Sequence, residues 1–388
     1  MPYCEVGKTQ NAVDAALNNG IQIYYRTYGH GPIKVLLITG LAGTHDSWGP
    51  QIRGLAGTDR ANDDETMAVD RESDGANNEV GGIEVCSLDN RGMGRSSVPN
   101  KKSDYSTRIM AKDAIALLDH LGWKKAHVFG HSMGAMIACK MAALVPDRIL
   151  SLALLNVTGG GFECCPKLDR KTLSIAIRFL KAKTPEQRAA VDLDTHYSEE
   201  YLEEFVGSDT RRVILYQEYV KGITASGMQS NHGFEGQINA CWRHKMTRAE
   251  IDLIRSGGFL VSVIHGRCHC SNKSCKEASR EATTCCKNGR FHGGHLVTHE
   301  RTEEVNQALL ELIKASEMKM SPHDWNNFPK KRSEASNRTT VERETNIIIA
   351  KIHVFLVYLI SLFMTAFKYG RSSLQRLKPV RVGASSPK

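Results

Sequence analysis

From Ile21 the chain reads IQIYYRTYG, apolar and polar by turns, the pattern of a strand with one covered face. It is expected at a sheet edge, ending in a turn at Gly29. The next run, IKVLLITG, is apolar almost throughout, as a parallel strand covered on both faces should be. An acidic, glycine-rich stretch at 59–79 is too polar to pack and reads as a surface loop. GIEVCSLDN is then a second buried strand. In STRIMAKDAIALLDHLGW the apolar positions change to helical spacing and stop at Gly122. KAHVFGHS, MGAMIACKMAALVPDRI and LSLALLNV follow as strand, helix and strand, with Pro146 closing the helix.

Strand and helix alternate, so the pattern predicts an α/β fold whose mostly parallel sheet is wound right-handed and flanked by helices. From 159 to 248 the pattern turns helical without strands, as in KTLSIAIRFLKA and EEYLEEFV. GFLVSVIHG resumes the sheet, and ERTEEVNQALLELIKAS is an amphipathic closing helix. A helical insertion between two sheet strands is expected to form a cap over the site.

The chemistry concentrates at three strand ends. Gly130-His131-Ser132-Met133-Gly134 is a G-x-S-x-G between a buried strand and a helix. A tight turn there leaves no room for a Cβ on either side of the serine, which takes a strained backbone and projects its hydroxyl. The helix start places the Met133 N–H and a partial positive charge where an oxyanion would form. ITGLAGTHDSW ends an earlier strand in a glycine-rich loop, and the N–H of Leu41 is expected to complete the oxyanion hole. LDNRGMGRSS reads as a structural turn in which Arg91 pins a carboxylate. It lacks the Lys-Ser/Thr ending of a phosphate-cradling loop.

Together these pieces resemble the α/β-hydrolase superfamily over roughly residues 21–316. The branch is similar to the small-molecule hydrolases and lactonases of the 3-oxoadipate enol-lactonase and aminoacrylate-hydrolase kind, including many plant members. The resemblance implies the α/β-hydrolase fold with an inserted helical cap. It implies Ser132 as nucleophile and His295, in HGGHLVTHE, as general base, acting on a small ester, lactone or related carbonyl compound without cofactor or metal. His299 is the weaker candidate because it should already lie on a helix. Serine at the elbow, in place of aspartate, argues against the epoxide-hydrolase and haloalkane-dehalogenase branches, which attack with a carboxylate. The expected organisation is hydrolase core over 21–158, cap over 159–248, and core again over 249–317. A polar linker over 318–346, a membrane anchor over 347–367 and a basic tail over 368–388 follow.

One stretch breaks the pattern. Between Cys268 and Arg290 there is no Val, Ile, Leu, Met, Phe, Trp or Tyr, and five of the eleven cysteines stand there. The resemblance implies a triad acid after Gly266-Arg267, yet no aspartate follows before Asp324, and the acids between Arg267 and His295 are Glu277 and Glu281. Back-translated, Cys268-His269-Cys270-Ser271-Asn272 as TGT CAT TGC TCA AAT reads Val-Ile-Ala-Gln when shifted by one base. Residues 286–290 shift likewise to Ala-Arg-Met-Val-Asp. The stretch from 268 to about 291 therefore reads as out of frame, and as written it is expected neither to form the last strand of the sheet nor to orient His295. A metal site from Cys268, His269, Cys270, Cys275, Cys285 and Cys286 is the rival reading. Its C-x-C, C-x₄-C and C-C spacings fit zinc poorly.

Hydrophobic content of 41% with 24% charged residues suits a globular protein and argues against a chain disordered throughout. The formal net charge is +9, most of it after Lys319, which points to a membrane surface and not to nucleic acid. Residues 347–367 are 21 largely apolar positions, close to the ~20 that span a bilayer. The start of the chain lacks the basic, apolar and small-residue succession of a secretory signal. The six cysteines outside the odd stretch read as reduced core residues. The expected topology is a C-terminal single-pass anchor with the hydrolase domain in the cytosol.

Overall fold

A computed structural model describes residues 2–7, 20–64, 82–164, 170–266 and 286–327. Among these, eight strands form one sheet: β1 (Tyr3–Val6), β2 (Ile21–Tyr28), β3 (Ile33–Ile38), β4 (Ile83–Leu88), β5 (Ala126–His131), β6 (Ile149–Leu155), and the later pair Leu260–Gly266 and Cys286–Phe291. A short antiparallel ribbon, β7 (Phe205–Val206) with β8 (Asp209–Thr210), intervenes in sequence. The later pair are therefore β9 and β10, and the sheet order is β1-β2-β4-β3-β5-β6-β9-β10. β2 pairs antiparallel with β1 on one side and β4 on the other, and from β4 onward in the sheet order every pairing is parallel.

The two-residue period of the strands sorts the core. Leu36 and Ile38 face α2 (Thr107–His120) and α3 (Met133–Leu144), where Leu117, Ile137 and Met141 pack. Val35 and Leu37 face the other side, with Ile52 of α1 (Gly49–Ala56) and with Val305, Leu309 and Leu312 of the closing helix Thr302–Glu317. With both faces covered, the strands have no polar face to show, which is why IKVLLI carries so little alternation.

Between β6 and β9 run α4 (Arg170–Lys181), α5 (Pro185–His196), α6 (Glu199–Leu202), α7 (Arg211–Ser226), α8 (Asn231–Arg243) and α9 (Arg248–Ser256). Ser or Thr caps the amino ends of α2, α5, α6, α8 and α9, and Thr247 with Glu250 completes a capping box.

Three expectations need correction. β2 is not at the edge, because β1 pairs outside it; four residues of YCEV are too short for the periodicity test. The last strand does form: Cys286–Phe291 pairs in parallel with residues 261–266. An edge strand is held by its backbone ladder on one side, and Phe291 packs on the core, so the apolar run demanded of an internal strand is not required. The region from 318 is not all polar linker either. Helix Pro322–Asn327 buries Trp325, whose Nε1–H donates to the Val261 carbonyl at 3.0 Å.

Residues 267–285, with Glu277, Glu281 and all but Cys286 of the proposed metal ligands, lie outside the described residues, as does 347–367. Among the described residues no helix is long and apolar enough to cross a membrane.

Candidate active site

β5 ends at His131 and α3 begins at Met133, leaving Ser132 alone to reverse the chain. It does so at φ 55° and ψ −119°, a positive φ rare for a residue with a side chain. The flanking glycines are obligatory on steric grounds. A Cβ on Gly130 would lie 2.3 Å from the Gly134 carbonyl oxygen, and one on Gly134 would lie 2.0 Å from that of Ile38. The strained turn is held by the Ser132 N–H, which donates to the Leu155 carbonyl at 2.8 Å. The Ser132 carbonyl in turn accepts from Ala135 N–H at 3.0 Å. The Met133 N–H belongs to the first turn of α3, where no intrahelical acceptor exists.

The loop after β3 passes over this elbow. A Cβ on Gly40 would meet the Ser132 Cβ and the His131 carbonyl oxygen, each at 3.2 Å, so the loop touches the elbow one residue before Leu41. Thr39, standing where a histidine is common in the family it resembles, is buried; the Asn90 Nδ2–H donates to its carbonyl at 2.9 Å. Arg91 meets a carboxylate as expected: its Nε and Nη2 donate to the two oxygens of buried Asp113 at 2.7 and 2.6 Å. Asp89 accepts from the His45 N–H at 2.7 Å, its Nδ1–H at 2.9 Å and the Arg95 N–H at 3.0 Å, which ties the loops after β3 and β4 together.

His295 follows β10 in the turn His292-Gly293-Gly294. Its carbonyl accepts from His131 Nε2 at 2.8 Å and from Asn156 Nδ2 at 2.5 Å. A carbonyl can only accept, so His131 carries its proton on Nε2. The His295 ring lies edge-on to that of His131, centroids 4.9 Å apart, and is stacked on that of His196 from α5 at 6.1 Å. The structure thus sets Gly40, the residue before Leu41, against Ser132, has Met133 follow the serine as the first residue of α3, and ties the His295 carbonyl to His131 of the elbow.

His299 is placed elsewhere. It lies in the short helix Val297–Glu300, where its Nε2 donates to the Ser47 carbonyl at 2.8 Å and its Nδ1 accepts from the Tyr197 hydroxyl at 3.0 Å. Burial pushes its pKa down, so it stands neutral as a brace between α5 and the loop after β3.

Sequence reasoning missed Asn156 and Glu300. Asn156 ends β6 at φ 50° and is buried. Its Oδ1 accepts from the Gly266 N–H at 2.9 Å while its Nδ2 holds His295, so one side chain ties the ends of β6 and β9 to the histidine turn. A polar residue closing the carboxyl end of a parallel strand was the available signal. Glu300 accepts from the N–H groups of Gly294 and Ser198, both at 2.8 Å, and from the Ser198 hydroxyl at 2.7 Å. The shallow surface hollow lined by Asp119, Trp123, Asp147 and Arg148 lies at the opposite ends of the strands and has no part in this arrangement.

A sequence model of the alpha/beta hydrolase fold matches residues 34–194, the stretch that contains the oxyanion loop and the elbow. The chain has the α/β-hydrolase fold. The putative carbamate hydrolase RutD of Azorhizobium caulinodans is 29% identical to it over 164 residues, 42% of this chain and 50% of that one. The bifunctional epoxide hydrolase 2 of Sus scrofa is 28% identical over 137 residues, 35% of this chain and 20% of that one. The matched stretch therefore spans half the length of these relatives or less. The enol-lactonase from Burkholderia xenovorans LB400 superposes with TM-score 0.57 at 18% identity, covering 81% of this chain and all (100%) of that one, a likeness of fold.

Proposed function

We propose that this α/β-hydrolase-fold protein is a serine hydrolase acting on a small ester, lactone or related carbonyl compound. The observation that carries the reading is Ser132 held at positive φ between two glycines that admit no Cβ. That much strain persists where the surroundings enforce it, and here it holds a serine at the residue immediately before α3. His295 takes the Ser132 proton as Oγ attacks the carbonyl carbon. The N–H groups of Leu41 and Met133 stabilise the oxyanion, and the leaving alkoxide departs with the proton from His295. Water, deprotonated by His295, then releases the acyl group and restores Ser132. Likeness to an enol-lactonase and to a putative carbamate hydrolase supports a carbonyl substrate. Likeness to an epoxide hydrolase does not extend the reading to epoxides, since the elbow carries serine, not a carboxylate.

A fluorophosphonate probe labels Ser132 on this reading. Labelling that survives Ser132→Ala sinks it. A second reading is a non-catalytic binding protein on the same fold, favoured by the lack of an aspartate between Gly266 and His295. Turnover of simple aryl esters above the Ser132→Ala background separates the two. We also propose that residues 347–367 anchor the chain in a membrane with the hydrolase domain on the cytosolic side. A full-length protein that stays soluble without detergent rules the anchor out.

A further inference from the structure

Gln237 lies on α8, in the insertion and outside both the elbow and the histidine turn, yet it is fully buried. Its Oε1 accepts from the Ala42 N–H and from Gln229 Nε2, each at 3.0 Å. Its Nε2 donates to the Arg91 carbonyl at 3.0 Å. The backbone fixes the orientation of this carboxamide, because Ala42 N–H needs an acceptor and Arg91 C=O needs a donor. Gln237 therefore touches two loops of the core at once.

The loop it holds is poorly held otherwise. Residues 40–43 form a turn closed by a long bond, Gly43 N–H to the Gly40 carbonyl at 3.3 Å, with glycine at both ends. Ala42 stands at φ 57°, a left-handed conformation that an alanine keeps only where its neighbours enforce it. α8, by contrast, is seated without Gln237. A Cβ on Gly233 would meet the Gly92 carbonyl at 2.0 Å, and one on Gly236 would meet the Tyr105 ring at 2.4 Å, so backbone contact fixes the helix on the core.

We propose that Gln237 is a positioning residue for the oxyanion loop. By holding the Ala42 N–H it fixes the 41–42 peptide and with it the turn that presents the Leu41 N–H beside Ser132. The insertion then takes part in transition-state geometry as well as covering the site. The proposal rests on the serine-hydrolase reading above.

The test is Gln237→Met, similar in length but unable to hydrogen-bond, with Gln229→Met as the control on the same seam. Gln237→Met is expected to lower kcat on an aryl ester and the limiting rate of fluorophosphonate labelling by about 10²-fold, the scale of a misplaced oxyanion donor, while KM changes little. Backbone hydrogen exchange should rise in the peptide covering residues 40–43 and stay as in the unmodified protein across α8. Gln229→Met, which leaves the Ala42 bond in place, should keep kcat. Should Gln237→Met fail to fold, Gln237→Asn, shorter by a methylene, takes its place with the same expectations. Normal labelling in the Gln237 variant, or an equal loss in Gln229→Met, overturns the proposal. If the unmodified protein is not labelled at all, the serine-hydrolase reading fails, and exchange at 40–43 alone decides whether Gln237 holds the loop.

Discussion

Asn156→Asp changes one NH₂ group to an oxygen and nothing in shape. In the native arrangement Oδ1 accepts from Gly266 N–H and Nδ2 donates to the His295 carbonyl. The ionised variant keeps the first bond and sets a carboxylate oxygen against a carbonyl oxygen in a site that is 1% exposed. A lost bond together with a buried, unsatisfied charged acceptor costs about 3 kcal/mol. The protonated variant has an O–H to give to His295, so it stands in for asparagine. The fold therefore favours the proton and raises the new carboxyl's pKa above its unfolded value of ~3.9. At about 1.36 kcal/mol per pKa unit, 3 kcal/mol corresponds to a folded pKa of roughly 6. The native state then binds the proton more tightly than the unfolded state, so stability falls as pH rises. Variant and unmodified protein should be nearly equally stable at pH 4. The gap should open between about pH 4 and 6 and stay constant above, as measured by urea denaturation across that range. A constant gap at every pH would refute the argument, and so would a variant as stable as the unmodified protein at pH 7.

Ser132→Gly should raise stability by about 1 kcal/mol, because glycine adopts positive φ without strain, while abolishing fluorophosphonate labelling; a destabilised variant in thermal melts contradicts the strain argument. Arg91→Met leaves Asp113 buried without its partner and should cost 3–5 kcal/mol on the ordinary scale of about that size for a broken buried pair; a melt within 1 °C or so of the unmodified protein would show the pair to be dispensable. His127 and His244 are held neutral by burial, each with its pKa lowered to about 4. The unfolded chain binds their protons first, so stability is complete above ~6.5 and is lost as pH falls toward 4, by up to ~3 kcal/mol for each. His127→Asn should shallow that acid slope in urea titrations, and an unchanged slope would refute the assignment.

The order of strands and helices was legible because it follows from local patterning. A strand covered on both faces must be apolar throughout, and a helix packed on one side must repeat near 3.6 residues. The elbow was legible for a similar reason: residues 130–134 lie next to one another in the chain, and their steric demand is written in the two glycines. Arg91 could be assigned a carboxylate, but only folding chose Asp113, 22 positions away, by bringing α2 beside the loop after β4. The periodicity test failed at Cys286–Phe291 because an edge strand is held through its backbone ladder, which side-chain patterning does not report. Asn156 and Glu300 escaped notice as ordinary polar residues; their roles arise where β6, β9 and the histidine turn converge. Gln237, 195 positions from Ala42, is the extreme case. The sequence alone determined the layered sheet, the strained serine and the residues able to do chemistry at the strand ends. Tertiary structure decided which distant polar groups hold those ends in place, because a buried carboxamide or carboxylate acquires its partners only when the chain closes around it.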